Sequence, residues 1–495
     1  MRDLHGFVKT RHSILDLKPN QKTNWLTFAL SKHLLGCCDE AIHIIDIYLD
    51  TLRQDCEANG SSVGNNPEFQ CNYESSELAL YKNQLICEKQ EMEQCSSADI
   101  DIDYKEPYDH LLSIQHLIKD KYSFLTTKAK YELYLGQFNK AKETYLQLFD
   151  TFGATEDYSV HTGYMCCILQ LNYQTVSFIY NTLLKHHMTK KVLSGARTLA
   201  TIIPLSQEQK DILYKEYANG LLKKYPKSHT IKRIPLTLLD YELEEWKDQI
   251  GSYIQRQLKR GVPSLGSDLA SLFLMETHHS HGTGAGNGGE GGIESYYVIA
   301  TEPCDIEAHP VYKYLSNLID EYITSLEQHS KFPSAEQSQD NDTDTEPPST
   351  LLWAWYLRAV FYDLTGQYSK GIEITTKCLN QTPTAVDIYE LQGRIYKNAG
   401  DIQKAVSSTN EGRLLDKQDR YINNQTVKYL LQAGEEKEAL DTIALFTRHE
   451  SNSEQNIYDM QCYWYEMELG NCLLKKGLLG KALKKFSEYI YITYP

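Results

Sequence analysis

The residue pattern closest to a reactive site is a glycine tract, Gly284-Ala285-Gly286-Asn287-Gly288-Gly289, which spells G-x-G-x-x-G. That spacing cradles a dinucleotide pyrophosphate only where a strand leads into it and a helix opens behind it. Here a histidine-rich polar stretch precedes it and more glycine follows, so it reads as a low-complexity loop. His278, His279 and His281 are of the right type to hold a divalent metal, but a glycine tract gives them no rigid outer support, and they read as incidental. His186 and His187 read as the flank or cap of a helix end. Gly477-Leu478-Leu479-Gly480-Lys481-Ala482 lacks both the spacing of a phosphate loop and the hydroxyl residue after its lysine. There is no H-E-x-x-H and no R/Q-x-x-G-x-G/A loop for acetyl-CoA. The chain therefore reads as non-catalytic, with no metal site and no cofactor of its own.

The 12 cysteines form two adjacent pairs, Cys37-Cys38 and Cys166-Cys167, and eight singles, with no C-x-x-C. Adjacent cysteines on a helix point to different faces and do not readily share a zinc ion, so all are read as buried, reduced thiols. One cluster of cations has a more specific reading. Arg394, Lys397 and Lys404 surround one predicted helix turn, and Arg420 and Lys428 fall in the first helix of the next unit. Stacking would set them side by side, where a ligand carrying several phosphates would suit them. The alternative is ordinary solvated helix surface.

The elements that position these residues follow from one spacing. Gly366, Gly400 and Gly434 lie 34 residues apart. Five residues after each comes Gly371, Ala405 or Ala439, and seven before each comes Ala359, Gly393 or Val427. The same pattern recurs as Ala29/Gly36/Ala41, Ala129/Gly136/Ala141 and Gly470/Gly477/Ala482. The middle glycine suits a helix end with positive φ, and the small flanking residues mark where two antiparallel helices cross closely. Trp25, Trp355, Tyr389, Tyr362 and Tyr396 fill the remaining faces, and Pro383 stops a second helix. These are tetratricopeptide positions. The fold class is all-α, a right-handed superhelix (α-solenoid) of stacked antiparallel helix pairs.

Residues 1–260 read as such repeats and degenerate versions of them, with the weakest signal over 50–125 and 155–260. Residues 261–310 read as an insert with a flexible Gly/His-rich loop at 278–292, residues 311–330 as an amphipathic helix, residues 331–348 as a flexible acidic insert, and residues 349–495 as clear repeats. Both ends read as second helices with exposed edges, which suggests a piece of a longer solenoid.

In 495 residues, 50 Lys and Arg stand against 66 Asp and Glu, a net charge of −16 that argues against sequence-independent nucleic-acid binding. No run of about 18 apolar residues suggests a membrane span, and MRDLHGFVKTRH lacks a signal-peptide core. The expectation is a soluble, cytoplasmic protein.

Six stretches carry a resemblance along nearly the whole chain: residues 1–29, 225–239 (YPKSHTIKRIPLTLL), 346–356 (EPPSTLLWAWY), 393–405 (GRIYKNAGDIQKA), 419–431 (DRYINNQTVKYLL) and 459–470 (DMQCYWYEMELG). The sequence resembles the auxiliary subunits of the NatA amino-terminal acetyltransferase complex, departing from them at 278–292 and 331–348. The resemblance implies a non-catalytic tetratricopeptide scaffold wrapped around a separate GNAT-type catalytic subunit, which itself binds acetyl-CoA. It implies co-translational acetylation of nascent amino termini at the ribosome, with part of the ribosome contact drawn from regions outside this stretch. It also implies inositol hexakisphosphate as a structural ligand, with Arg394, Lys397, Arg420 and Lys428 as matching residues and Lys404 one position off the pattern. A second reading is a generic tetratricopeptide adaptor or co-chaperone that clamps a peptide carboxylate, with Asn423, Asn424 and Lys428 as a faint clamp. A third, an enzyme in its own right, predicts acetyl transfer by the isolated chain, and none is expected.

Overall fold

Six helix reversals in the chain are built alike. The computed structural model describes residues 3–58, 73–94, 103–171, 205–273, 275–281, 293–299, 303–333, 345–447 and 452–493. In it Gly36, Gly136, Gly366, Gly400, Gly434 and Gly477 all have φ between +69° and +90°. At each, two backbone bonds close the helix. At Gly400 its own N–H reaches Lys397 O at 3.1 Å, and the next N–H, of Asp401, reaches Tyr396 O at 2.9 Å. The same pair recurs at Gly36, where Gly36 N–H reaches His33 O at 2.8 Å and Cys37 N–H reaches Lys32 O at 3.1 Å. This double bond to the last turn requires a left-handed residue, which glycine adopts without the Cβ penalty.

The small residues flanking these turns are where the paired helices touch. Ala29, Ala41, Ala129, Ala141, Ala359, Ala405, Val427 and Ala439 are fully buried. A Cβ on Gly393 would lie 2.5 Å from Thr409 Cγ2 and 3.2 Å from Ala405 O, so the two helices cross too closely for any larger residue. One on Gly470 would lie 2.5 Å from the Phe486 ring.

The chain divides into two compact units, one of Arg2–Leu184 with Leu205–Leu238, the other chiefly Leu239–Pro495. In the first, helices Leu4–Leu17, Lys22–Leu34, Cys38–Ala58, Tyr73–Gln94, Lys105–Ser113, Lys121–Tyr134, Phe138–Phe152 and Tyr158–Leu169 follow one another. Phe28, Ile45, Tyr48 and Leu85 fill one core, and Leu111, Phe124, Leu148, Phe149, Tyr164 and Tyr217 fill another. Over 205–238 the regular pairing gives way. Helix Gln207–Lys215 runs through a π-turn, Glu216–Leu221, and two short helices, His229–Arg233 and Pro235–Leu238, follow. Specific polar bonds set this geometry. His161 meets the Tyr217 hydroxyl at 2.9 Å on one ring nitrogen and Thr155 O at 2.9 Å on the other, and Glu156 accepts the backbone N–H groups of His229 and Thr230.

The second unit holds helices Glu244–Arg260, Pro310–His329 and the clear pairs Pro348–Leu364/Tyr368–Gln381, Val386–Asn398/Ile402–Leu415, Arg420–Ala433/Glu436–Ala444 and Tyr463–Lys475/Leu479–Thr493. Arg358 ties the second of these elements to the third through Ser316 Oγ at 2.7 Å and Asp320 at 2.8 Å.

The segment 261–310, expected from sequence as an insert around a flexible loop, has regular structure on both sides of the glycine tract. Helix Leu265–Ala270 buries Leu265 and Leu269, and Phe273 packs edge-on against Tyr312 and Phe361. Strands Met275–His281 and Ile293–Ile299 then pair antiparallel, Met275 opposite Ile299 and His281 opposite Ile293. The β-branched and aromatic run Tyr296-Tyr297-Val298-Ile299 accounts for the strand, a signal that the glycine composition masked. The tract 284–289 and His186-His187 lie outside the described residues. So does most of the acidic segment, but its ends are pinned where Glu346 N–H donates to Ser330 O at 2.7 Å. Among the described residues no helix is long and apolar enough to cross a membrane.

Candidate functional site

Three first helices of the second unit, Pro348–Leu364, Val386–Asn398 and Arg420–Ala433, pack in succession. Buried Leu391 and Ile395 fix the inward face of the middle one, which leaves Glu390, Arg394 and Lys397 along a face of their own, spaced by four and three residues.

Arg394 is the centre of the cluster. Its Nε donates to Asp363 Oδ2 at 2.9 Å, and Asn398 Nδ2 donates to the other oxygen, Asp363 Oδ1, at 2.7 Å. Asp363 is thereby held at both oxygens with 7% of its side chain exposed, while Arg394 keeps 36%. Burial works against the charge on Arg394, but Glu390 and Asp363 outweigh it and hold the guanidinium protonated more firmly than usual. Glu390 shows the converse. Burial pushes its carboxyl up, Arg394 pulls it back, and Asp363 and Asp387 push it further. Tyr421 adds a long bond from its hydroxyl to Glu390 Oε1 at 3.5 Å. Partly buried charges are screened less by solvent than charges on an open surface, so a charged ligand at Arg394 would feel them more strongly.

Lys428 falls 34 residues after Arg394, at the matching place on the next first helix. It is half-buried and makes no hydrogen bond or ion pair among the described residues. Lys397 is exposed and donates to Oδ1 of its neighbour Asn398 at 3.3 Å. Arg420, also exposed, lies 5.2 Å from the Phe446 ring. Arg420, Asn424 and Lys428 lie on one stripe of their helix at four-residue spacing. Lys404 stands apart. It sits in the first turn of a second helix, paired to Asp401 at 2.8 Å, with 64% of its side chain exposed. Asn423 is buried and donates to Thr442 O at 3.3 Å, so it is not available to a peptide carboxylate. Gly477 serves as a helix turn rather than as part of a phosphate loop.

Sequence reasoning found the cations and missed their anionic partners. Glu390 was within reach of it, four residues before Arg394 on one helix, but Asp363 lies 31 residues away and only the stacking brings it in. It also missed a set in the first unit, where His33, Cys38 and Glu88 meet although 50 residues separate Cys38 from Glu88.

Comparison with known proteins agrees with this architecture. The family described as "N-terminal acetyltransferase A, auxiliary subunit" matches residues 73–281 and 310–493. The N-terminal acetyltransferase A complex auxiliary subunit NAA15 of Arabidopsis thaliana is 31% identical over 486 residues, which is 98% of this chain and 44% of that protein. The human N-alpha-acetyltransferase 16, NatA auxiliary subunit, is 27% identical over 488 residues, 99% of this chain and 44% of the relative. The chain thus spans less than half the length of these relatives. A solved structure described as Naa15/Naa10 bound to HypK-THB shares the fold with a TM-score of 0.60 at 24% identity, covering 99% of this chain and 58% of that one.

Proposed function

The chain belongs to the family of N-terminal acetyltransferase A auxiliary subunits, and from that premise we propose that it is a non-catalytic scaffold holding a GNAT-type catalytic subunit. The relatives' names place them beside the catalytic component rather than in its role. The observation that carries the reading is the family match, which runs through both units, and in the second unit it covers three first helices that pack in succession and bear Arg394 and Lys428. Such a scaffold supplies no reacting group. It lowers the barrier by holding the partner's substrate loops, and its acetyl-CoA, in a productive arrangement for nascent amino termini in the cytoplasm.

Within that reading, inositol hexakisphosphate is the ligand of the cation cluster around Arg394. Lys428 and Lys397 are free of carboxylate partners among the described residues, and Arg420 joins them from the same stripe as Lys428. Lys404 is peripheral, because Asp401 already neutralises it.

Co-expression with the catalytic subunit tests the scaffold. A stable complex with faster acetyl transfer than the catalytic subunit alone is expected, and no complex, or acetyl transfer by the isolated chain, overturns it. Inositol hexakisphosphate is expected to raise the thermal midpoint of the chain, and Arg420→Glu with Lys428→Glu to abolish that rise. An equal rise in the double variant removes the ligand assignment and leaves the scaffold standing.

A further inference from the structure

In the first unit, side chains of three different chemistries converge from three helices. His33 lies near the end of Lys22–Leu34, Cys38 begins Cys38–Ala58, and Glu88 lies within Tyr73–Gln94. One donor atom from each is within 4.8 Å of the other two. Zinc takes nitrogen, sulfur and oxygen donors at about 2.0–2.3 Å in a tetrahedron, which sets the donors roughly 3–4 Å apart. The existing set needs adjustments of about an ångström to reach that geometry.

The surroundings already orient the donors. His33 Nδ1 is engaged by the Tyr81 hydroxyl at 3.0 Å, which turns Nε2 toward Glu88 Oε2 at 2.5 Å. Glu88 Oε1 accepts from Gln84 Nε2 at 2.7 Å, which holds the carboxylate in place. Such outer contacts fix ring and carboxylate at metal sites. An Nε2–H hydrogen bond accounts for this approach when the site is empty, and a metal ion would take the place of that hydrogen.

We propose that His33, Cys38 and Glu88 form a binding site for a divalent ion of the zinc class, with water as the fourth ligand. One thiolate and one carboxylate neutralise the dication, and the neighbouring Asp39–Lys89 ion pair adds no net charge. Cys38 is 4% exposed, but His33 and Glu88 keep 18% and 30% of their side chains open, so the ion has a path from solvent. A coordinating cysteine binds as the thiolate, so loading releases a proton and weakens as the pH falls. The site is independent of the acetyltransferase reading, which uses none of these residues.

Cobalt titration of the metal-stripped, reduced full chain tests it. One equivalent of Co2+ is expected to produce thiolate-to-cobalt charge-transfer absorption that excess Zn2+ removes. Cys38→Ser is expected to lose the band, Cys37→Ser to keep it, and Glu88→Gln to weaken binding by roughly tenfold or more. No band in the wild-type chain, as for a cluster held only by a shared proton, overturns the proposal, and so does a band that survives Cys38→Ser. A readout without substitution uses mass spectrometry of alkylated cysteines. Zn2+ is expected to slow Cys38 alkylation about tenfold, and equal rates with and without Zn2+ overturn the site.

Discussion

The pairs between Pro348 and Ala444 and the segments 154–171 and 205–238 are both largely helical, yet they are held together by different means. In the first, geometry comes from what is absent. Glycine and alanine at fixed intervals let helices meet backbone to side chain, and Gly393 leaves no room for a single further carbon. In the second it comes from specific polar bonds, with His161, Tyr217, Glu156 and Ser228 clamping segments some 56 to 74 residues apart. A periodic array can reuse one contact, whereas an irregular one must specify each.

The sharpest way to break this contrast is to overfill the close crossing. Gly393→Leu is expected to cost about 3 kcal/mol by forcing the pair apart, read as a lower urea midpoint. A loss below about 0.5 kcal/mol would show that the crossing yields freely.

Acid should strike the irregular stretch next. Burial holds the His161 imidazole down to about 4, against some 6.5 for an exposed histidine. Its folded value is depressed, so protons favour the unfolded chain. Its contribution is intact above pH 6.5 and is lost as the pH falls toward 4, about 3 kcal/mol in all. Stability measured between those pH values should decline in the wild-type chain and decline less in His161→Phe.

Tyr217→Phe removes the hydroxyl facing His161 and leaves a buried ring nitrogen unpaired, an expected loss of about 1–3 kcal/mol by denaturant unfolding. The smallest effect belongs to the turns. Gly400→Ala meets no atom within 4 Å, so only its φ of +90° opposes it, at about 1 kcal/mol. A larger loss at Gly400 than at Gly393 would reverse the assignment of what each glycine is for.

This contrast also marks what the sequence made legible. The six turns were readable because glycine and small residues recur at intervals that one chain segment displays by itself. The cations at Arg394 and Lys428 were readable through the same period. Asp363 beside Arg394, Tyr217 beside His161 and Glu88 beside Cys38 were not, since no local spacing encodes a contact made by stacking. The paired strands Met275–His281 and Ile293–Ile299 were missed for another reason: glycine-rich composition outweighed a short β-branched run next to it.

Each reversal is sealed by its own two backbone bonds, and at Gly36, Gly136, Gly400 and Gly477 open space lies where a side chain would begin. The bend is therefore self-contained and asks nothing of the residues around it. A duplication of the gene in steps of one helix pair would carry a ready-made corner with every copy, a simple route by which an array of this kind lengthens without redesign.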